Sequence, residues 1–196
     1  MSALSVDPPA PHGREWDDLV RLREETDAPE GCKAEIVEGI ATVSPTPANS
    51  HNSVAQRVQR QPYTVIPEDW GVYQTLAVAI PSRLGMFVPD LVVAPEAALG
   101  EPGHHIPAAA ALLVVETTSK SSADHDRIEK LHGCATAGVP LYPLLDSRHS
   151  GRPTATLYGH PGNATYRVLD TVEYGEGLHI SAPFDLTIDT GAFPAG

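Results

Sequence analysis

Asp90 stands between the apolar runs Phe87-Val88 and Leu91-Val92-Val93, and Glu116 closes the run from Leu112 to Val115. Runs of that length read as strands covered on both faces, so each carboxylate falls at or near a strand end, where burial without a partner costs several kcal/mol. Two such groups on adjacent strands repel each other, and a hard dication, Mg2+ or Mn2+, relieves the repulsion through oxygen ligands. Asp90 and Glu116 are therefore candidate metal ligands, although a loop cap or an arginine at a sheet edge would satisfy either one. Residues two apart on a strand share a face, so Thr118 points the way Glu116 does. Thr118 brings no charge, and an ammonium for this face has to come from Lys120, just beyond the strand, or from Lys130 on the following helix. Lys130 is the preferred source. It lies i,i+4 from Asp126, on one helix face, where a solvated pair would be worth about 0.5 kcal/mol at most. His51 falls near the start of a helix, where a neutral imidazole can contact a phosphate, move a proton, or simply cap and pack.

The elements that must position these groups follow from periodicity and punctuation. Trp16, Leu19, Val20 and Leu22 keep helical spacing until the turn at Pro29-Glu30-Gly31, and Ala34 to Val43 reads as a hairpin around Glu38-Gly39. A second helix runs from Asn49 toward Val65, capped by Asn49 or Ser50, with Val54, Val58 and Tyr63 inward and Pro62 ending or kinking it. Val72 to Ile80, Phe87 to Val93 and Leu112 to Glu116 supply a central sheet, with Ala97 to Ala110 as a loop. Ser121 or Ser122 caps a helix with Ile128, Leu131 and Ala135 inward and Gly138-Val139-Pro140 as its stop. Gly133 inside it costs about 1 kcal/mol relative to alanine. Leu141 to Asp146 is another strand, in which Pro143 implies an edge, a bulge or a distortion, and 155–158, 166–169 and 178–180 are short strands. The order places helices against a mixed sheet, an α/β or α+β fold.

With 196 residues, 41% hydrophobic, the chain suits one core. Residues 1–13, with Pro8, Pro9 and Pro11, read as a flexible tail, and 14–196 as a single domain. The longest proline-free apolar run, Ala108 to Val115, is far below the roughly 18 residues of a membrane span, and the N-terminal residues carry no export pattern, so a cytoplasmic location is expected. The formal charge of −12 argues against a protein that coats nucleic acid through basic surface. Cys32 and Cys134 form no CxxC pair, and both are expected as buried thiols. There is no HExxH, no GxSxG elbow and no phosphate-binding glycine loop.

Taken in order, Glu35-Ile36-Val37-Glu38-Gly39, Ser44-Pro45, His51, Pro89-Asp90-Leu91-Val92-Val93, Val114-Val115-Glu116-Thr117-Thr118-Ser119, Asp126 with Lys130, and Ala137-Gly138-Val139-Pro140 resemble the Uma-two family of restriction-endonuclease-like proteins. The similarity extends through Gly177 to Phe184, so only the first dozen residues lie outside it. The resemblance implies a PD-(D/E)XK nuclease: a restriction endonuclease-like core of central mixed sheet flanked by helices, with a β-rich C-terminal extension. It further implies a Mg2+ (or Mn2+) ion on Asp90 and Glu116, hydrolysis of DNA phosphodiester bonds, and Lys130 in place of the lysine absent at 118. Glu35 matches the family's early acidic position and would hold the metal through a water, a turn or edge carboxylate being the alternative; His51 gains a site role. A homodimer is expected by analogy, since two-fold related sites cut both strands most simply. Val139-Pro140-Leu141-Tyr142-Pro143 stands where the family has Val-Pro-Glu-Tyr-Trp. Thr118, Pro143 and the charge of −12 motivate the alternative of an inactive nuclease fold that binds nucleic acid or protein.

Overall fold

The computed structural model describes residues 12–100, 103–119, 123–147 and 151–194. Most of the proline-rich segment 1–13, Lys120 and the caps Ser121 and Ser122 lie outside them. The chain runs through α1 (His12–Glu25), the hairpin β1 (Lys33–Val37) and β2 (Ile40–Ser44), and α2 (Asn49–Arg60). Next come β3 (Trp70–Tyr73), β4 (Ala77–Ile80), β5 (Gly85–Phe87), β6 (Leu91–Pro95), β7 (His105–Pro107) and β8 (Leu113–Thr117). A π-helical turn (His125–Lys130) leads into α3 (Leu131–Ala137), followed by β9 (Leu141–Asp146), β10 (Thr154–Gly162), β11 (Thr165–Glu173), β12 (Gly177–Ile180) and β13 (Leu186–Asp189).

The strands form a six-stranded mixed sheet, in the order β11-β10-β9-β8-β6-β3, and a five-stranded one, β2-β1-β5-β4-β7. β12 and β13 make a separate hairpin, and Leu178, Ile180, Phe184, Ile188 and Phe193 cover the main core cluster around Leu91, Leu113 and Leu145. The fold is thus α/β with a central mixed sheet, flanking helices and a β-rich C-terminal extension.

The apolar stretch Val72 to Ile80 is divided: β3 belongs to the six-stranded sheet and β4 to the five-stranded one. Phe87 to Val93 is divided in the same way, with Val88-Pro89-Asp90 carrying the chain from β5 across to β6. This crossing leaves Asp90 between the two sheets. The expected loop 97–110 contains β7, which pairs parallel to β4 through Val78 and Ile106. The turn at Glu38 (φ 47°) and Gly39 (φ 82°) places both central residues in left-handed conformation, the geometry that suits a tight hairpin.

Other local differences have simple causes. α1 starts at His12 rather than Arg14, and α2 already begins at Asn49, so its N-cap is Ala48, one residue before the expected Asn49 or Ser50, with no side-chain cap. Of the two thiols expected inside, Cys134 is buried, whereas Cys32, just ahead of β1, is only half-buried. The second helix ends at Arg60 because Pro62 opens a 3-10 turn over Pro62–Thr64, which leaves Tyr63 exposed rather than inward. Pro143 lies in β9, an internal strand and not an edge. Its antiparallel register with β10 is unbroken at Leu157↔Pro143, while the parallel pairing with β8 holds at Leu113↔Leu141 and resumes only at Glu116↔Leu144. The interruption accommodates a residue with no N–H to donate.

Candidate active site

β1, the start of α2, the Val88–Asp90 link, the end of β8 and the π turn converge on one pocket of about 240 Å3. Strand periodicity puts Lys33 and Glu35 on the same face of β1. Both line the pocket, as do His51, Asp90, Glu116 and Lys130, so Glu35, His51, Asp90, Glu116 and Lys130 all meet here, while Lys120 lies outside the described residues.

Asp90 anchors one wall. Lys33 Nζ donates to its Oδ1 at 2.7 Å, His51 Nε2 lies 3.1 Å from the same oxygen, and the Thr117 N–H donates to Oδ2 at 2.8 Å. Burial alone would raise the Asp90 pKa, but the His51 hydrogen bond and the Lys33 charge outweigh it and hold the carboxyl well below the usual range.

Lys130 forms the floor. Its Nζ lies 3.1 Å from Glu116 Oε1, 3.2 Å from Glu35 Oε1 and 3.4 Å from Asp126 Oδ1. The Asp126–Lys130 pair is therefore buried, and the solvated ion pair that its spacing also allowed is excluded. Glu35 Oε1 also accepts the Val88 N–H at 2.6 Å, which ties β1 to the crossing segment. Burial opposes the charge on Lys130, yet Glu116, Glu35 and Asp126 raise its pKa well above the ordinary lysine value. Burial likewise raises Glu116, helped by Asp126 and Asp90 and opposed by Lys130. Four carboxylates, Glu35, Asp90, Glu116 and Asp126, face two ammonium groups. The direction that holds for the cluster is a charged Lys130, with the surplus negative charge relieved at Glu116.

The π turn explains why His125, Asp126 and Lys130 all reach this pocket. Its wider register brings positions i and i+5 together, so His125 joins Asp126 on the side of Lys130. The same rotation leaves Ile128, expected inward, 59% exposed. On the far side Arg127 clasps Asp146 through Nε and Nη2 at 2.8 and 2.9 Å, and the Thr118 hydroxyl donates to Asp146 Oδ1 at 2.8 Å. Thr118 thus serves the anchor of the π turn.

Sequence reasoning did not single out Lys33 or His125. The signal for Lys33 is its position two residues before Glu35 on one strand; His125 needs the π turn, which no sequence pattern announced. The donor set fits a hard dication in type, since Glu116 Oε1 is buried with no hydrogen-bond partner, Lys130 Nζ being near it but off the bonding direction. Among the described residues, however, no group of three or more His, Cys, Asp or Glu side chains is arranged to hold a metal.

Residues 16–191 match the family model Uma2, described as "Putative restriction endonuclease". No curated protein matches the chain. Among solved structures, a protein from Anabaena variabilis ATCC 29413 described as "a putative nuclease belonging to DUF820" superposes with a TM-score of 0.66 at 17% identity, over 91% of this chain and 97% of that one. At that identity the likeness speaks for the fold. The family match over nearly the whole chain, on this architecture, shows that the chain belongs to the Uma2/DUF820-like family within the PD-(D/E)XK-related nuclease-like fold group.

Proposed function

We propose that the pocket is the site of a metal-dependent phosphodiester hydrolase acting on DNA. The observation that carries this reading is the convergence of Asp90, Glu116, Glu35 and Lys130 from four separate segments on one buried pocket with more carboxylates than cations. A structural ion-pair network gains nothing from a buried surplus of like charge, because each uncompensated carboxylate costs several kcal/mol. A site for a dication requires such a surplus. Asp90 and Glu116 would hold the ion directly, and Glu35 would hold it through a water. When bound, a dication supplies a Lewis acid for a phosphoryl oxygen and a water of lowered pKa. Lys130 keeps the Glu116 and Glu35 carboxylates in place and balances their charge, and His51 Nε2 orients Asp90 Oδ1.

A second reading is closer to the arrangement as it stands. The described residues form a closed Lys and acid network with no assembled metal site, which fits a nuclease fold retained as a nucleic-acid or protein binding module. Supercoiled plasmid with Mg2+ or Mn2+ at low salt separates the two. Nicking that requires the ion, stops with EDTA and is lost in Asp90→Ala and Lys130→Ala establishes the hydrolase; a folded wild type as inert as Asp90→Ala under those conditions leaves the binding module.

A further inference from the structure

The two lysines of the pocket are not equivalent. An ammonium has three N–H donors. Lys130 Nζ lies among three carboxylates at 3.1 to 3.4 Å, and its side chain is only 4% exposed, so it is enclosed by the protein. Lys33 Nζ has two acceptors, Asp90 Oδ1 at 2.7 Å and the Val88 carbonyl at 3.3 Å, and its side chain is 19% exposed on the pocket wall. Its third N–H has no acceptor among the described residues.

Beside it begins α2. The helix is twelve residues long and has no side-chain cap, so its first backbone N–H groups have no partner within the helix, and Ala48, Ser50 and His51 line the pocket. A second observation points the same way: the His51 side chain is 10% exposed, and its Nδ1 is buried without a hydrogen-bond partner. The carboxylate floor repels an anion. The wall made by Lys33 and the start of α2 attracts one.

We propose that Lys33 and the N-terminal turn of α2 form the subsite that holds a phosphate of the substrate, while Lys130 balances the charge of the carboxylates and does not reach the substrate. This rests on the phosphodiesterase reading above and adds to it which wall receives the backbone of the nucleic acid. Asp90 is the hinge between the two halves, because the oxygen that faces Lys33 and His51 belongs to the residue that would hold the ion. A phosphate on Lys33 is thereby placed next to Asp90.

The test is equilibrium binding of a short fluorescein-labelled DNA duplex, and of its single strand, in Ca2+ across about 50 to 200 mM salt. It compares wild type, Lys33→Gln and Lys33→Arg, with plasmid nicking followed in parallel. Loss of one charged phosphate contact weakens Lys33→Gln about tenfold and lowers its salt slope by about one, while Lys33→Arg keeps both near wild type. In the cleavage assay the Lys33→Gln defect falls on KM more than on kcat. Arginine also keeps the ion pair with Asp90, so a folding defect would show in the thermal melt of Lys33→Gln and not in Lys33→Arg. If Lys33→Gln binds with wild-type affinity and slope while wild type cleaves, the subsite is refuted and the hydrolase reading stands. A folded wild type that neither binds nor cleaves refutes both.

Discussion

At the scale of single residues the pocket is governed by the count of charges. Lys130 is the one ammonium touching Glu35, Glu116 and Asp126 among the described ion pairs, so truncating it removes the cation that all three buried carboxylates share. Lys130→Met is expected to cost about 3–5 kcal/mol of stability by denaturant unfolding, and adding Glu116→Gln is expected to recover part of that loss. Glu116→Gln alone acts in the opposite direction in metal-free protein. Burial raises the folded-state pKa of Glu116 above its ordinary value of 4.5, so over the interval between the unfolded and folded values the folded state binds a proton that the unfolded state has released. Stability contributed by that proton is full below the unfolded pKa and falls as pH rises toward the folded one. Melts of wild type and Glu116→Gln from about pH 4 to pH 8 are thus predicted to diverge with rising pH, the variant becoming the more stable by about 1 kcal/mol or more. Parallel curves would show that Glu116 carries no such strain.

At the scale of elements, local rules and packing disagree most clearly at Gly133. Helix propensity alone makes Gly133→Ala stabilising by about 1 kcal/mol. A Cβ there would lie 2.4 Å from Phe87 Cε2 and 3.2 Å from Ile80 Cδ1, and the Phe87 ring is buried and set edge-on against His125, 5.9 Å between ring centroids. Gly133 is therefore the close contact that seats α3 on β4 and β5, and Gly133→Ala is predicted to lower stability by about 1–3 kcal/mol. Chemical denaturation checks the sign. The same contrast shows what could be read from the sequence. The hairpin at Glu38-Gly39, the stop at Gly138 and the helix end ahead of Pro62 rest on local backbone preferences, and all are found where expected. The division of 72–80 and 87–93 between two sheets depends on long-range pairing, which local pattern does not encode. That Asp90 and Glu116 would sit at strand ends and Lys130 on the following helix was legible from residue type and periodicity, while Glu35 and His51 were drawn in by the family resemblance; all five line the one pocket. Lys33 and His125 were not legible, since a lone lysine opening a strand and a π turn leave no distinctive signature.

At the scale of the whole molecule, the architecture is two mixed sheets joined at Val88-Pro89-Asp90, with the C-terminal β12–β13 hairpin packed on the core and the pocket where the sheets and two helical segments meet. Among the described residues no helix is long and apolar enough to cross a membrane. With a formal charge of −12, the proposed nucleic-acid binding would rest on a few local cations, so its affinity should fall only modestly with salt and depend on a dication that screens the carboxylates. Ligand linkage adds a thermal signature: a saturating ion at one hundred times its dissociation constant stabilises the fold by about 2.7 kcal/mol. The melting temperature should accordingly rise with Mn2+ in wild type and not in Asp90→Asn.

Calorimetric titration of Mn2+ into metal-free protein, compared across wild type, Asp90→Asn and Glu116→Gln, addresses the central claim directly, because it asks whether the buried carboxylates are a dication site before any substrate is involved. The account predicts saturable binding at a single site in wild type that is lost in both variants. Absence of binding in folded wild type, or binding that both variants retain unchanged, would contradict it and leave the pocket as a static ion-pair network within a nuclease fold.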